Sequence, residues 1–169
     1  MLEHHSKPSG LPLILAALPE YHHVFHQLSH NPQLLKASLP FNPERVPIDE
    51  LRERAWEAVE PRHAAQQQVW ADAFGAARSR GLGSEELAQV AQAAAAGRVA
   101  TLLIESGRQI GGTLDRASGG IEVASLRNPD VDDLLDDLGE LVETMGGEVV
   151  VVPADRMPVD TGLAATFRY

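Results

Sequence analysis

His22, His26 and His30 recur at four-residue intervals in EYHHVFHQLSHNP, with His23 beside the first. Imidazoles one helical turn apart share a face and can chelate zinc, copper or nickel. No HExxH pattern accompanies them, and only Glu20 lies close by in sequence. Spacing alone is a weak signal. A solvated helix face accounts for it and is the reading adopted, so no metal is assigned. A small metal-dependent hydrolase built on His22, His26 and His30 is kept as the alternative. A second set of side chains is basic. Arg98, Arg108, Arg116, Arg127 and Arg156 fall at predicted strand ends and in loops. Gathered at one edge they could meet a partner or RNA phosphates, and Arg98, Arg108, Arg127 and Arg156 are the binding candidates. Arg156-Met157-Pro158 follows the carboxyl end of a predicted strand, where open α/β sheets bind ligands.

The remaining candidates are weaker. Asp130, Asp132, Asp133, Asp136, Asp137, Glu140 and Glu143 crowd one predicted helix. They read as its wet side, the first of them complementing the N-terminal dipole. Read functionally, they form a docking face for a basic partner such as a ribosomal protein. The glycines at 107, 111 and 112 lack the Gly-Lys-Ser/Thr ending of a phosphate loop. Ser106, Ser118 and Ser125 sit in no nucleophile elbow. No catalytic dyad is recognisable and no cofactor is expected.

Composition narrows the classes further. The 169 residues are 44% hydrophobic, enough for one well-cored domain or a domain plus a fragment of another. Absence of cysteine excludes disulfides, thiolate catalysis and thiolate zinc sites. A formal net charge of −10 argues against general nucleic-acid binding through phosphates. The apolar run Leu11 to Leu18 is too short to span a bilayer, and Pro19-Glu20 is no signal-cleavage site. A soluble, cytoplasmic protein without a membrane partner is expected.

The positioning elements follow from hydrophobic patterning. Leu11 to Leu18 predicts a strand covered on both faces. Tyr21, Val24, Phe25 and Leu28 recur at helical spacing. Residues 32–47 hold four prolines and read as a connection with one short helical turn around Leu34 to Ala37. Helical patterning starts at Ile48, is interrupted by Pro61 and resumes to the glycines of RGLG. Pro61 is the expected domain joint, and Trp56 and Trp70 are expected to pack in a core or at the joint. Then come a helix capped by Ser84 and stopped by Gly97, a strand Val99 to Ile104, and a hairpin turning at Ser118-Gly119-Gly120. A helix opened by Pro129 and stopped by Gly146-Gly147 follows, with Val131, Leu134, Leu135, Leu138, Leu141, Val142 and Met145 as its apolar stripe. The strand EVVVVP and a last strand, Leu163 to Tyr169, complete the chain. Amphipathic helices alternating with apolar strands predict a largely parallel or mixed sheet with helices on both faces. The chain is expected to begin and end inside folded elements, as if cut from something larger.

Taken with LPLILAALPEYHH, ELRERAWEAVEP, GRVATLLIE and the GGEVVVVP…RMP…LAATFRY run, this order resembles the bacterial branch of the archaeo-eukaryotic peptide-chain release factor family, relatives of Pelota-type rescue factors. The resemblance extends from about Leu11 to the end. It implies a C-terminal α/β/α sandwich similar to kink-turn-binding ribosomal proteins, carrying an N-terminal strand-plus-helices extension. Residues 1–60 would be a remnant of the middle domain with the connector helix, and residues 61–169 the C-terminal domain. The decoding domain would be absent. The family releases nascent peptide through a Gly-Gly-Gln tripeptide, which this sequence lacks. The expected function is a non-catalytic module contacting the ribosome or a translation-associated protein, with a homodimer formed through the lone first strand. A third possibility is a truncated remnant with no activity of its own.

Overall fold

A computed structural model describes residues 11–128 and 131–169. The polar stretch 1–10 and the Pro129 and Asp130 assignments lie outside the described residues. The chain divides into two compact units, residues 1–64 and 65–169.

In the first unit β1 (Leu13–Ala16) pairs in parallel with β2 (Leu34–Leu39), with α1 (Pro19–Leu28) between them. This corrects two expectations. The first strand is not covered on both faces, for Leu13 and Leu18 stay exposed and Leu15 is half-buried. The segment expected to hold a helical turn is instead a strand. Leu35 and Leu39 are its buried positions, and a spacing of four places two side chains on one face of either a helix or a strand. β1 thus has its partner within the chain, and the case for strand exchange through it falls away. Asn42 caps a short 3-10 turn, Pro43–Arg45, by accepting from the Glu44 N–H.

α2 (Ile48–Arg78) is one helix with Pro61 inside it, not two segments. The ring removes the hydrogen bond that would reach the Glu57 carbonyl, yet the helix continues on both sides. Trp56 is 55% exposed and meets His63 edge-on at 5.8 Å, so it is not a core residue.

The second unit holds β3 (Gly83–Ser84), α3 (Leu87–Ala95), β4 (Val99–Glu105), β5 (Gly111–Asp115), β6 (Gly120–Val123), β7 (Asp132–Asp133), α4 (Leu134–Thr144), β8 (Glu148–Val152) and β9 (Leu163–Phe167). Its main sheet has the order β3-β9-β4-β8, with β8 parallel and β9 antiparallel to β4. Strand residues alternate between two cores, as a pleated layer requires. Leu102, Leu163 and Ala165 join Val90, Ala94, Leu138 and Val142 of α3 and α4. Leu103, Val152 and Ala164 join Phe74 of α2 on the opposite face. The mixed sheet with helices on both faces therefore forms as expected.

Local caps differ from expectation at two places. Ser84 pairs in β3 with Ala165 and does not cap α3; its Oγ accepts from the Glu86 N–H, and the N-cap Glu86 makes no side-chain cap bond. α4 begins at Leu134, where Asp133 Oδ1 accepts from the N–H groups of Leu135 and Ile110 at 3.1 Å each. Both helices stop as expected. Gly97 and Gly146 take positive φ, and the Arg98 and Gly147 N–H groups reach back to Ala93 and Val142.

In the β5–β6 turn, the Asp115 carboxylate accepts from the Ser118 hydroxyl at 2.5 Å and the Ala117 N–H at 3.0 Å. These bonds, the hydroxyl first, hold its pKa below the ordinary aspartate value. A depressed folded value means the turn's contribution is present above the unfolded pKa and is lost as the pH falls through the folded one, below about pH 4. Ser118→Ala should raise the Asp115 midpoint toward that of a free aspartate. A carboxyl-detected NMR titration reads it, and an unchanged midpoint would refute the assigned cause.

Candidate partner-binding surface

β4 and β8 run parallel and end on the same side of the sheet. Two of the expected basic residues follow those ends. Past β4 the chain turns at Gly107, with φ +75°, and the Arg108 guanidinium returns to Glu105 at 3.3 Å. The Arg108 stem lies over Gly162, where an added Cβ would come within 2.9 Å of it. Past β8 a short 3-10 turn, Ala154–Arg156, aims Arg156 inward. Its guanidinium donates to Gln67 Oε1 at 2.9 Å, and Gln67 is only 2% exposed. Met157 and Val159 anchor the following loop against the Phe74 core.

The other two candidates lie elsewhere. Arg98 precedes β4, at the opposite end of the strand and about 23 Å away at 3.3 Å per residue. It sits over the Phe167 ring at 5.7 Å. Arg127 is exposed in the loop after β6. Arg116, also noted in the sequence, bridges Glu140 at 2.6 Å and Asp137 at 3.4 Å, contacts that raise its pKa further, Glu140 contributing first. The arginines are therefore dispersed and form no continuous strip: Arg108 and Arg156 follow the carboxyl ends of β4 and β8, while Arg98, Arg116 and Arg127 lie at separate places.

Arg168 was missed in the sequence. Its guanidinium donates to Gly97 O at 3.1 Å and to Gly146 O at 2.5 Å, joining the C-terminal ends of α3 and α4. Two glycine stops, each leaving unsatisfied carbonyls and negative helix ends, were the available signal. Arg168→Ala should lower the stability of the second unit by about 1–2 kcal/mol, whereas Arg127→Ala should stay within about 0.5 kcal/mol. Denaturant unfolding of both variants checks the contrast.

The histidines do not converge. His22 donates to Ala17 O at 2.7 Å, His26 is hydrogen-bonded to Ser38 Oγ at 2.8 Å, and His30 falls beyond the end of α1. Among the described residues no group of three His, Asp or Glu side chains is placed to hold a metal ion. No helix among them is long and apolar enough to cross a membrane.

The acidic face of α4 meets the sheet edge at β8. Asp136, Glu140 and Glu143, one stripe at helical spacing, wall a groove of about 280 Å³ whose apolar lining is Ile104, Leu135, Val149 and Val151. A second groove of about 430 Å³, in the first unit, runs beside Leu39 and Phe41, with Arg54 stacked 4.7 Å over the Phe41 ring.

This fold is that of a release-factor C-terminal domain. It is similar to the C-terminal domain of the peptide chain release factor from Methanosarcina mazei, with 18% identity and a TM-score of 0.57 over 76% of this chain and 96% of that one. Archaeal Pelota, from a model of its ribosome-bound complex with ABCE1, gives 24% identity and a TM-score of 0.57 over 92% of this chain and 43% of that one. S. cerevisiae Dom34, a translation termination-like factor that interacts with Hbs1, gives 15% identity and 0.52 over 94% and 46%. The chain thus spans less than half the length of those two factors. No curated protein sequence matches it. Residues 1–98 match the model of bacterial archaeo-eukaryotic release factor family 3, and the chain belongs to that family.

Proposed function

We propose that this protein is a non-catalytic binding module of the translation release and ribosome-rescue class, which docks on the ribosome or on a translation-associated protein. The observation that carries this reading is the family match over residues 1–98 on a release-factor domain fold. Residues 1–60 act as the middle-domain remnant and connector, and residues 61–169 as the docking domain. Arg108, exposed past the carboxyl end of β4, is the first contact; Arg156 is turned inward to Gln67, and Arg98 and Arg127 supply separate contacts. The sequence offers no Gly-Gly-Gln tripeptide for peptidyl-tRNA hydrolysis. Action in the cytoplasm follows from the same reading.

Co-sedimentation with bacterial ribosomes over a salt series tests it. Saturable pelleting at about 50 mM salt that weakens as salt rises, and drops in an Arg108→Glu, Arg127→Glu double variant, is expected. No pelleting at the lowest salt would overturn the ribosome contact. A homodimer no longer has an unpaired first strand as its ground; sedimentation equilibrium in the same buffers tests for one, and a monomer throughout would remove it.

A further inference from the structure

The two edges of the main sheet differ. β3, at one edge, has only two residues, a length that offers little to pair with. β8, at the other, is EVVVV with no proline, lysine or register shift against β4. Natural sheets usually blunt an edge of this kind. The Ser106 N–H donates to Val152 O, which fixes the alternation: Glu148, Val150 and Val152 turn their backbone groups toward β4. Val149 and Val151 turn theirs outward, and their side chains lie on the α4 side, lining the acidic groove. Val151 is 59% exposed.

We propose that the β8 edge binds an extended basic polypeptide segment as a fifth strand. The outward N–H and C=O groups of Val149 and Val151 supply the ladder bonds. Alternate residues of an added strand face the groove. Lysine or arginine at those positions lays its stem along Val149 and Val151 and places its charge beside Asp136 and Glu143. Glu140 is bridged by Arg116 and Glu105 by Arg108, while no ion pair engages Asp136 or Glu143 among the described residues. Charge selects the occupant. A second copy of a chain of net charge −10 would set one acidic stripe against another, and a phosphate backbone would be repelled. The proposal deepens the translation reading by naming the chemistry of a protein partner, and it rests on that reading only for the partner's source.

The test uses the full chain and a synthetic nonapeptide of alternating lysine and valine, with a glutamate–valine peptide as control. Only the lysine peptide should bind, shifting the Val149 and Val151 amide resonances, with an affinity that falls as salt rises. Val151→Pro removes an outward N–H without breaking a native ladder bond. The near-isosteric pair Asp136→Asn and Glu143→Gln removes charge with little change of shape. Each should weaken binding at least about tenfold. The charge variant and the wild-type amide shifts keep the proposal falsifiable if the proline variant unfolds. Equal binding of both peptides, shifts outside β8, β8 shifts that instead track protein concentration, or tighter binding of single-stranded RNA would each overturn it. Lost peptide binding with ribosome pelleting intact sinks the edge alone; lost pelleting with peptide binding intact sinks the ribosome contact alone.

Discussion

Gly119→Ala should destabilise the second unit by about 3 kcal/mol or more. Gly119 sits in the β5–β6 turn at φ +72°, where a Cβ would come within 2.5–2.6 Å of Ala91 O, Gln92 Cα and Gln92 N. Those atoms are helix backbone of α3 and cannot rotate aside, so the turn must lift off the helix. Gly81 isolates the conformational part of the cost. It has φ +74° with nothing within 4 Å of its virtual Cβ, so Gly81→Ala should cost only about 1 kcal/mol. Urea unfolding of the two variants measures the difference. Equal costs would mean that the hairpin does not lie against α3.

Phe74→Ala should cost about 3–5 kcal/mol, the range for emptying a buried aromatic site. Phe74 is 3% exposed and is the buried α2 side chain in the core with Leu103, Val152 and Ala164, against which Trp70 of the same helix also packs. Val69, on the same helix but 57% exposed, provides the comparison; Val69→Ala should stay within about 0.5 kcal/mol. For a chain of this size each kcal/mol moves the midpoint by roughly 2–4 °C. If Phe74→Ala melted like Val69→Ala, the second helical layer of the sandwich would be wrong.

Elements whose burial is set by one local pattern were legible in the sequence. β4, β8 and β9 are apolar runs, and α4 carries an apolar stripe closed by two glycines. Elements that depend on distant partners were not. β2 is framed by prolines and has leucines four apart, which fits two periods at once. Ser84 has the chemistry of a helix cap, but its place is fixed by Ala165, far along the chain. Trp56 is a large apolar residue that stays at the surface. Among the candidate site residues, the arginine types were legible, but their division between opposite ends of β4 was not, since only sheet order sets it. For Arg168 the two glycine stops were legible, but not that one guanidinium reaches main-chain carbonyls of two separate helices. The open β8 edge was hidden for the same reason: EVVVV reads alike in a central or an outer strand.

The claim that this chain is a docking module and not a hydrolase is tested most directly on ribosomes loaded with labelled peptidyl-tRNA. Adding the full chain and measuring bound protein together with released peptide should give saturable binding while the ester bond stays intact. Release of peptide above background, or no binding at low salt, would contradict it.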